Sequence, residues 1–141
     1  MKILFAADGS PCSMQAAKYL IQQSSMFKEA PEITVIHVEP AVLPPNVTRH
    51  VSKAVVDDWY KEQGDIALRD VTQALDAAGV PYTRKQLVGD VAPTLIKTAT
   101  EIGANMIVMG SHGRSATAGV LLGSVATKLL SGTKIPVLII R

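Results

Sequence analysis

An α/β fold, one parallel sheet of five strands with helices on both faces, is the class that this 141-residue sequence predicts. Three observations carry the prediction. Short continuous apolar runs alternate with longer segments whose apolar residues recur at helical spacing, the pattern of strands buried on both faces and joined by crossover helices. Glycine, proline and small polar residues punctuate the boundaries. The length allows one domain that buries roughly two thirds of its unfolded surface, so residues 1–141 read as a single domain.

Ile3-Leu4-Phe5-Ala6-Ala7 reads as the first strand. It ends at Asp8-Gly9-Ser10-Pro11, where Ser10 can cap a helix that begins with Pro11 and is expected to run to about Met26. Ile33 to Val38 is the second strand, leaving through Glu39-Pro40 into a stretch whose Pro44, Pro45 and Asn46 exclude helix. From about Val51 to Ala78 the residues Val51, Val55, Trp59, Ile66, Val71, Leu75 and Ala78 give a long amphipathic helix, closed by Gly79 and with Gly64 as a candidate bend. Tyr82 to Val88 is the third strand. Gly89-Asp90 then opens a helix with Asp90 as N-cap, Pro93 in its first turn, Leu95, Ile96, Ala99 and Ile102 facing inward, and Gly103 at its close. Met106 to Met109 is the fourth strand, Ser124 to about Leu130 the fourth helix, and Ile135 to Ile140 a final, wholly apolar strand.

Hydrophobic residues make up 48% of the chain and charged ones 18%, and no apolar stretch approaches the roughly 20 residues of a membrane span. The opening MKILFAADGS lacks the long apolar region and cleavage site of a secretory signal. One cysteine, Cys12, cannot form an internal disulfide, and no histidine or cysteine stands at zinc-ligand spacing. A cytoplasmic location is expected. Fourteen basic and twelve acidic residues are interspersed, for a net charge of +2, so no basic block exists to track a phosphate backbone. Nucleic acid and membrane are not expected partners.

The segment GSHGRSATAGVLLGS, Gly110 to Ser124, lies between the fourth strand and the fourth helix. It matches neither the Walker pattern G-x-x-x-x-G-K-[ST] nor the dinucleotide pattern G-x-G-x-x-G. It does hold Gly110, Gly113 and, nine residues on, Gly123-Ser124. Two readings of these glycines stand. They serve tight turns alone, or they free the main chain for unusual conformations and for close approach by a ligand. A helix start at Gly123-Ser124 would offer unpaired amides and a positive dipole end to an anion. This loop and Asp8-Gly9-Ser10 both follow strand carboxyl ends, where open parallel sheets bind ligands at a topological switch point.

With these residues in view, the sequence resembles the universal stress protein family over its whole length, in the branch that binds ATP. Gly110, Gly113, Gly123 and Ser124 reproduce the family's G-2x-G-9x-G-[ST] motif within the I-V-M-G-S-H-G-R context of Ile107 to Arg114, and Asp8-Gly9-Ser10 matches its acidic first-strand exit. Ala7, where the family often has valine, and Asn105, where it commonly has aspartate, depart from the pattern. The resemblance implies a doubly wound sheet of order 3-2-1-4-5 with the first and fourth strands adjacent. It implies a cofactor, ATP with magnesium or manganese, bound by Ala6, Ala7, Asp8, Val38, Met109, Gly110, Ser111, Gly113, Arg114, Gly123, Ser124, Val125 and Ala126. Adenine would lie near Val38 and phosphates against Gly113, Gly123 and Ser124, with no catalytic residue assigned. No side chain is assigned as a metal ligand, except that Asp8 can reach an ion carried by the nucleotide.

Other residues have plainer readings beside sharper ones. His112 and Arg114 could act as a catalytic pair but read first as loop-shaping and phosphate- or solvent-facing groups. His37 and His50 read as structural or solvated, Cys12 as a packing residue rather than a low-pKa thiol, and Trp59 with Tyr60 as half-buried packing. The function expected is that of an ATP-binding regulator, a nucleotide-dependent switch or partner-binding module in the stress response. A slow ATPase or nucleotidyl-transfer enzyme and a nucleotide-free interaction protein are the alternatives. A homodimer joined through Ile135 to Ile140 is also expected, because an apolar edge strand invites pairing and because the family resemblance implies it.

Overall fold

The computed structural model describes residues 1–41, 50–114 and 121–141. The expected stretch with Pro44, Pro45 and Asn46 lies outside the described residues, as do positions 115–120 of the glycine segment. The elements are β1 (Lys2–Ala6), α1 (Pro11–Gln22), a 3-10 turn (Ser24–Met26), β2 (Glu32–Glu39), α2 (Lys53–Ala77), β3 (Tyr82–Val88), α3 (Val91–Glu101), β4 (Met106–Gly110), α4 (Ser124–Gly132) and β5 (Val137–Ile140). All strands pair parallel, in the order β3-β2-β1-β4-β5.

Given this order, crossover handedness fixes which face each helix covers. Parallel crossovers are right-handed, so the helices that carry the chain from β1 out to β3 cover one face and those that carry it to β4 and β5 cover the other. Alternation along the strands fills both layers. Ile3, Phe5, Val35 and Val108 pack with Ala16, Ala17 and Leu20 of α1 and Leu68, Val71 and Leu75 of α2. Leu4, Ile36, Val38, Ile107 and Met109 pack with Leu95 and Ala99 of α3 and Ala126 and Leu129 of α4. The winding reverses between β1 and β4, and their carboxyl ends flank the switch point.

Several boundaries differ from the sequence reading, each for a local reason. The first helix stops at Gln22 and gives way to the 3-10 turn, so Met26 belongs to the connection. α2 begins after Ser52, whose side chain accepts the Val55 amide, and it continues through Gly64. Gly64 is there for close packing: a Cβ would lie 2.6 Å from the Gln86 side chain. The buried face of α2 is Gly64, Ala67, Leu68, Val71, Thr72 and Leu75, whereas Val55 and Ile66 are exposed: Ile66, beside the buried Ala67 and Leu68, falls on the outer face of the helix. Asp90 occupies the N-cap of α3 without a side-chain cap bond. Ile135 and Pro136 precede β5, which is shorter than expected.

Candidate functional site

The turn after β1 is built to hold the loop after β4. Gly9 adopts a φ of +78°, a conformation open to glycine, which returns the chain to the start of α1. Ser10 caps that helix by accepting the Ser13 amide at 3.2 Å, with Pro11 in the first position where its missing N–H costs nothing. The Asp8 carboxylate accepts from the Ser10 amide at 3.0 Å and the Ser13 hydroxyl at 2.6 Å on one oxygen, and from the Arg114 amide at 3.1 Å on the other. Ser10 Oγ donates to the His112 carbonyl at 3.2 Å. Two bonds thus run from the β1 exit to the main chain of the glycine loop.

Burial pushes the Asp8 carboxyl up, but the hydrogen bonds from Ser10, Ser13 and the Arg114 amide outweigh it and hold the group below its ordinary value. Because the folded value is depressed, the resulting stability is present above the unfolded value of about 3.9 and is lost as pH falls through the folded value. Asp8→Asn is therefore expected to lower the melting temperature at pH 7 and to shrink the loss of stability on acidification below about pH 4. Parallel acid melting curves for parent and variant would refute this.

One reading of Gly110 and Gly113 joined two expectations, main-chain conformations closed to other residues and close approach by a ligand. Among the described residues positive φ falls instead at Gly9, Gly79, Gly89 and Gly103, and at none of the motif positions. Close approach is what Gly110, Gly113 and Gly123 provide. A Cβ on Gly110 would lie 2.5 Å from Cys12 Cβ and 2.7 Å from the Cys12 carbonyl carbon. On Gly113 it would lie 2.7 Å from Asp8 Oδ2, and on Gly123 3.2 Å from the Ser111 carbonyl. The glycines let β4 seat against α1, the loop against Asp8, and α4 against the loop.

A cavity of about 540 Å³ opens at the switch point. Every residue assigned from the sequence lines it: Ala6, Ala7 and Asp8 after β1, Val38 of β2, Met109, Gly110, Ser111, Gly113 and Arg114 around the β4 exit, and Gly123, Ser124, Val125 and Ala126 at the start of α4. Gly123 is the N-cap of α4 and has no side chain to cap with, so the amides of Ser124, Val125 and Ala126 begin a helix without a side-chain cap at the cavity wall. Val38, Leu95 and Met109 give another wall that is apolar and buried. The cavity therefore suits a ligand with one flat apolar part and one anionic part.

Ser13, Val91 and Leu95 also line the cavity, as do His37 and His112. His37 was read as structural or solvated. It is 2% exposed, with Nδ1 on the Ala7 carbonyl at 2.9 Å and Nε2 on Glu39 Oε2 at 2.8 Å. Arg114 Nη2 donates to the same Glu39 oxygen at 3.3 Å. Sequence reasoning missed Glu39, although a histidine and a glutamate two apart on one strand share a face. His112 Nδ1 meets Ser111 Oγ at 2.9 Å, Cys12 is half-buried, and Trp59 stacks edge-on against Tyr60 at 5.0 Å. Among the described residues no group of three or more His, Cys, Asp or Glu side chains is placed to hold a metal, and no helix is long and apolar enough to cross a membrane.

Comparison with known proteins gives a consistent set of likenesses. The model of the Universal stress protein family matches residues 1–141. Universal stress protein MJ0531 of Methanocaldococcus jannaschii is 33% identical over 141 residues, covering 99% of this chain and 81% of that protein. Among solved structures, hypothetical protein MJ0577 superposes with a TM-score of 0.83 at 24% identity, covering 99% of this chain and 94% of the other. A universal stress protein crystallised in complex with cAMP superposes with a TM-score of 0.71 at 25% identity, covering 100% and 97%.

Proposed function

The chain belongs to the universal stress protein family, and from that premise we propose that it binds an adenine nucleotide in the switch-point cavity and acts as a nucleotide-dependent regulatory module. One observation carries the reading. Four separated segments, around Asp8, Val38, Gly110–Arg114 and Gly123–Ala126, converge on a single cavity that has an apolar wall and an uncapped helix start. The cAMP complex of a relative supports the adenine class. ATP with magnesium or manganese is the proposed form, because the G-2x-G-9x-G-[ST] spacing of Gly110, Gly113, Gly123 and Ser124 resembles the ATP-binding branch.

In this reading Val38 and Met109 flank the base, and Gly113, Gly123, Ser124, Val125 and Ala126 receive the phosphates. The amides of Ser124, Val125 and Ala126, at the start of α4, need no reorganisation to meet an anion, whereas the Gly123 amide is bonded to the Ser111 carbonyl and Gly123 contributes close approach. Asp8 shapes the loop and can reach a nucleotide-borne ion, and Arg114 lends positive charge at the rim. The bound ion would supply charge neutralisation along the phosphates. A pair of chains joined through β5 would present two such cavities.

Equilibrium dialysis with ATP and magnesium, with AMP and cAMP as competitors, tests the proposal. Saturable binding of one nucleotide per chain is expected. No saturation at millimolar nucleotide would overturn it, and phosphate release at a steady rate over hours would instead mark a slow ATPase.

A further inference from the structure

Glu39 ends β2 and stands outside both the glycine motif and the site assigned from the sequence. Its side chain is only 11% exposed, a costly place for a carboxylate without partners. Two partners meet it on one oxygen, His37 Nε2 from below and Arg114 Nη2 from the loop after β4. His37 is itself anchored at both ring nitrogens, Nδ1 on the Ala7 carbonyl at 2.9 Å and Nε2 on Glu39 Oε2 at 2.8 Å, so the ring cannot turn freely. The arrangement is a chain of contacts from the main chain of β1, through a buried imidazole and a buried carboxylate, to a guanidinium on the glycine loop.

We propose that Glu39 is a positioning residue: held by His37, it holds Arg114, and so fixes the Gly110–Arg114 loop before any ligand arrives. Asp8 and Ser10 already grip this loop by its main chain from β1. The Arg114 side chain adds a third point, from β2, on the far side of the switch point. A loop pinned to two strands keeps its amides in one arrangement, and a ligand then pays less ordering entropy on binding. Arg114 is 46% exposed, so solvent weakens the pair as a source of global stability. Its consequence is local order. For the loop this inference stands alone; for the ligand it rests on the nucleotide reading above.

Hydrogen exchange of the amides of residues 110–114 in the ligand-free protein tests it without any ligand. Glu39→Gln and Arg114→Met are each expected to raise exchange there about tenfold, with β1 and β2 amides unchanged. The double variant should exchange no faster than either single one, because both changes break the same link. Should Glu39→Gln fail to fold, Arg114→Met decides alone, since it removes only a half-exposed guanidinium and keeps the main-chain bond to Asp8. Unchanged exchange in Arg114→Met, or additive effects in the double variant, would overturn the proposal. In the same variants ATP affinity is expected to fall three- to tenfold. A parent that binds no ATP would sink the nucleotide reading and leave the exchange result to judge the link.

Discussion

Replacing Gly123 by valine is expected to lower the affinity for ATP with magnesium at least 100-fold, about 2.7 kcal/mol, while the chain remains folded. Gly123 has φ −67° and ψ 158°, extended backbone that valine adopts without strain. The cost arises in space instead. Its Cβ would stand 3.2 Å from the Ser111 carbonyl and 3.4 Å from His112 Cα, and the two further methyls of valine cannot both avoid that main chain. The Gly123 amide also donates to the Ser111 carbonyl at 2.8 Å, so the side chain would pry apart the junction of loop and helix. Gly113 and the start of α4 would separate, and an anion would lose simultaneous contact with both. Gly123→Ala, with one added methyl, should fall between parent and valine variant. Gly110→Val makes a useful contrast, because its Cβ meets the α1 main chain at 2.7 Å and should cost stability before affinity. Isothermal titration of the folded Gly123→Val protein decides: parental affinity would remove Gly123 from the proposed phosphate site.

The layers and the strand exits that flank the cavity were legible because they rest on periodicity. Ile3 to Ala7, Ile33 to Val38 and Met106 to Met109 are apolar on both faces, which only a sheet covered twice requires. Sheet order was different: it came from the resemblance, since nothing in the periodicity of β4 says that it returns beside β1. Of the reading of the glycines, close approach holds for the protein's own atoms, and unusual φ does not. Gly110, Gly113 and Gly123 matter for what approaches them, and such contacts span Cys12 to Gly110 or Asp8 to Gly113, about a hundred residues apart. Local spacing carries no sign of them. The link through His37, Glu39 and Arg114 stayed hidden for the same reason. His37 and Glu39 could have been paired by alternation, but Arg114 joins them only once β4 lies beside β1.

Ile139→Pro is expected to convert a dimer of about twice 15.0 kDa into a monomer with an unchanged fold, as measured by light scattering coupled to size exclusion. The sheet has two edges, and they are not alike. β3 carries Arg84 and Lys85, charges that discourage pairing with another chain, whereas β5 runs Val-Leu-Ile-Ile, half-buried throughout, without a charge until Arg141. The β4 ladder uses the carbonyls of Pro136 and Ile140. In a strand the N–H and C=O of one residue point the same way, so alternate residues, Val137 and Ile139, turn theirs toward the open edge. Pro136 does not blunt that edge. Its carbonyl faces β4, so its missing N–H lies on the paired side and leaves the outer edge intact. Antiparallel pairing of two β5 strands about a two-fold axis would satisfy these groups, and proline at Ile139 removes an outward donor without touching the ladder to β4. Leu138→Asp is the poorer test, because it sets a charge against the core that Leu138 packs on and would confuse unfolding with dissociation, whereas proline keeps an apolar group where Ile139 packs on the opposite layer. A parent that stays monomeric at high micromolar concentration, or an Ile139→Pro variant that stays dimeric, would rule out pairing through this edge.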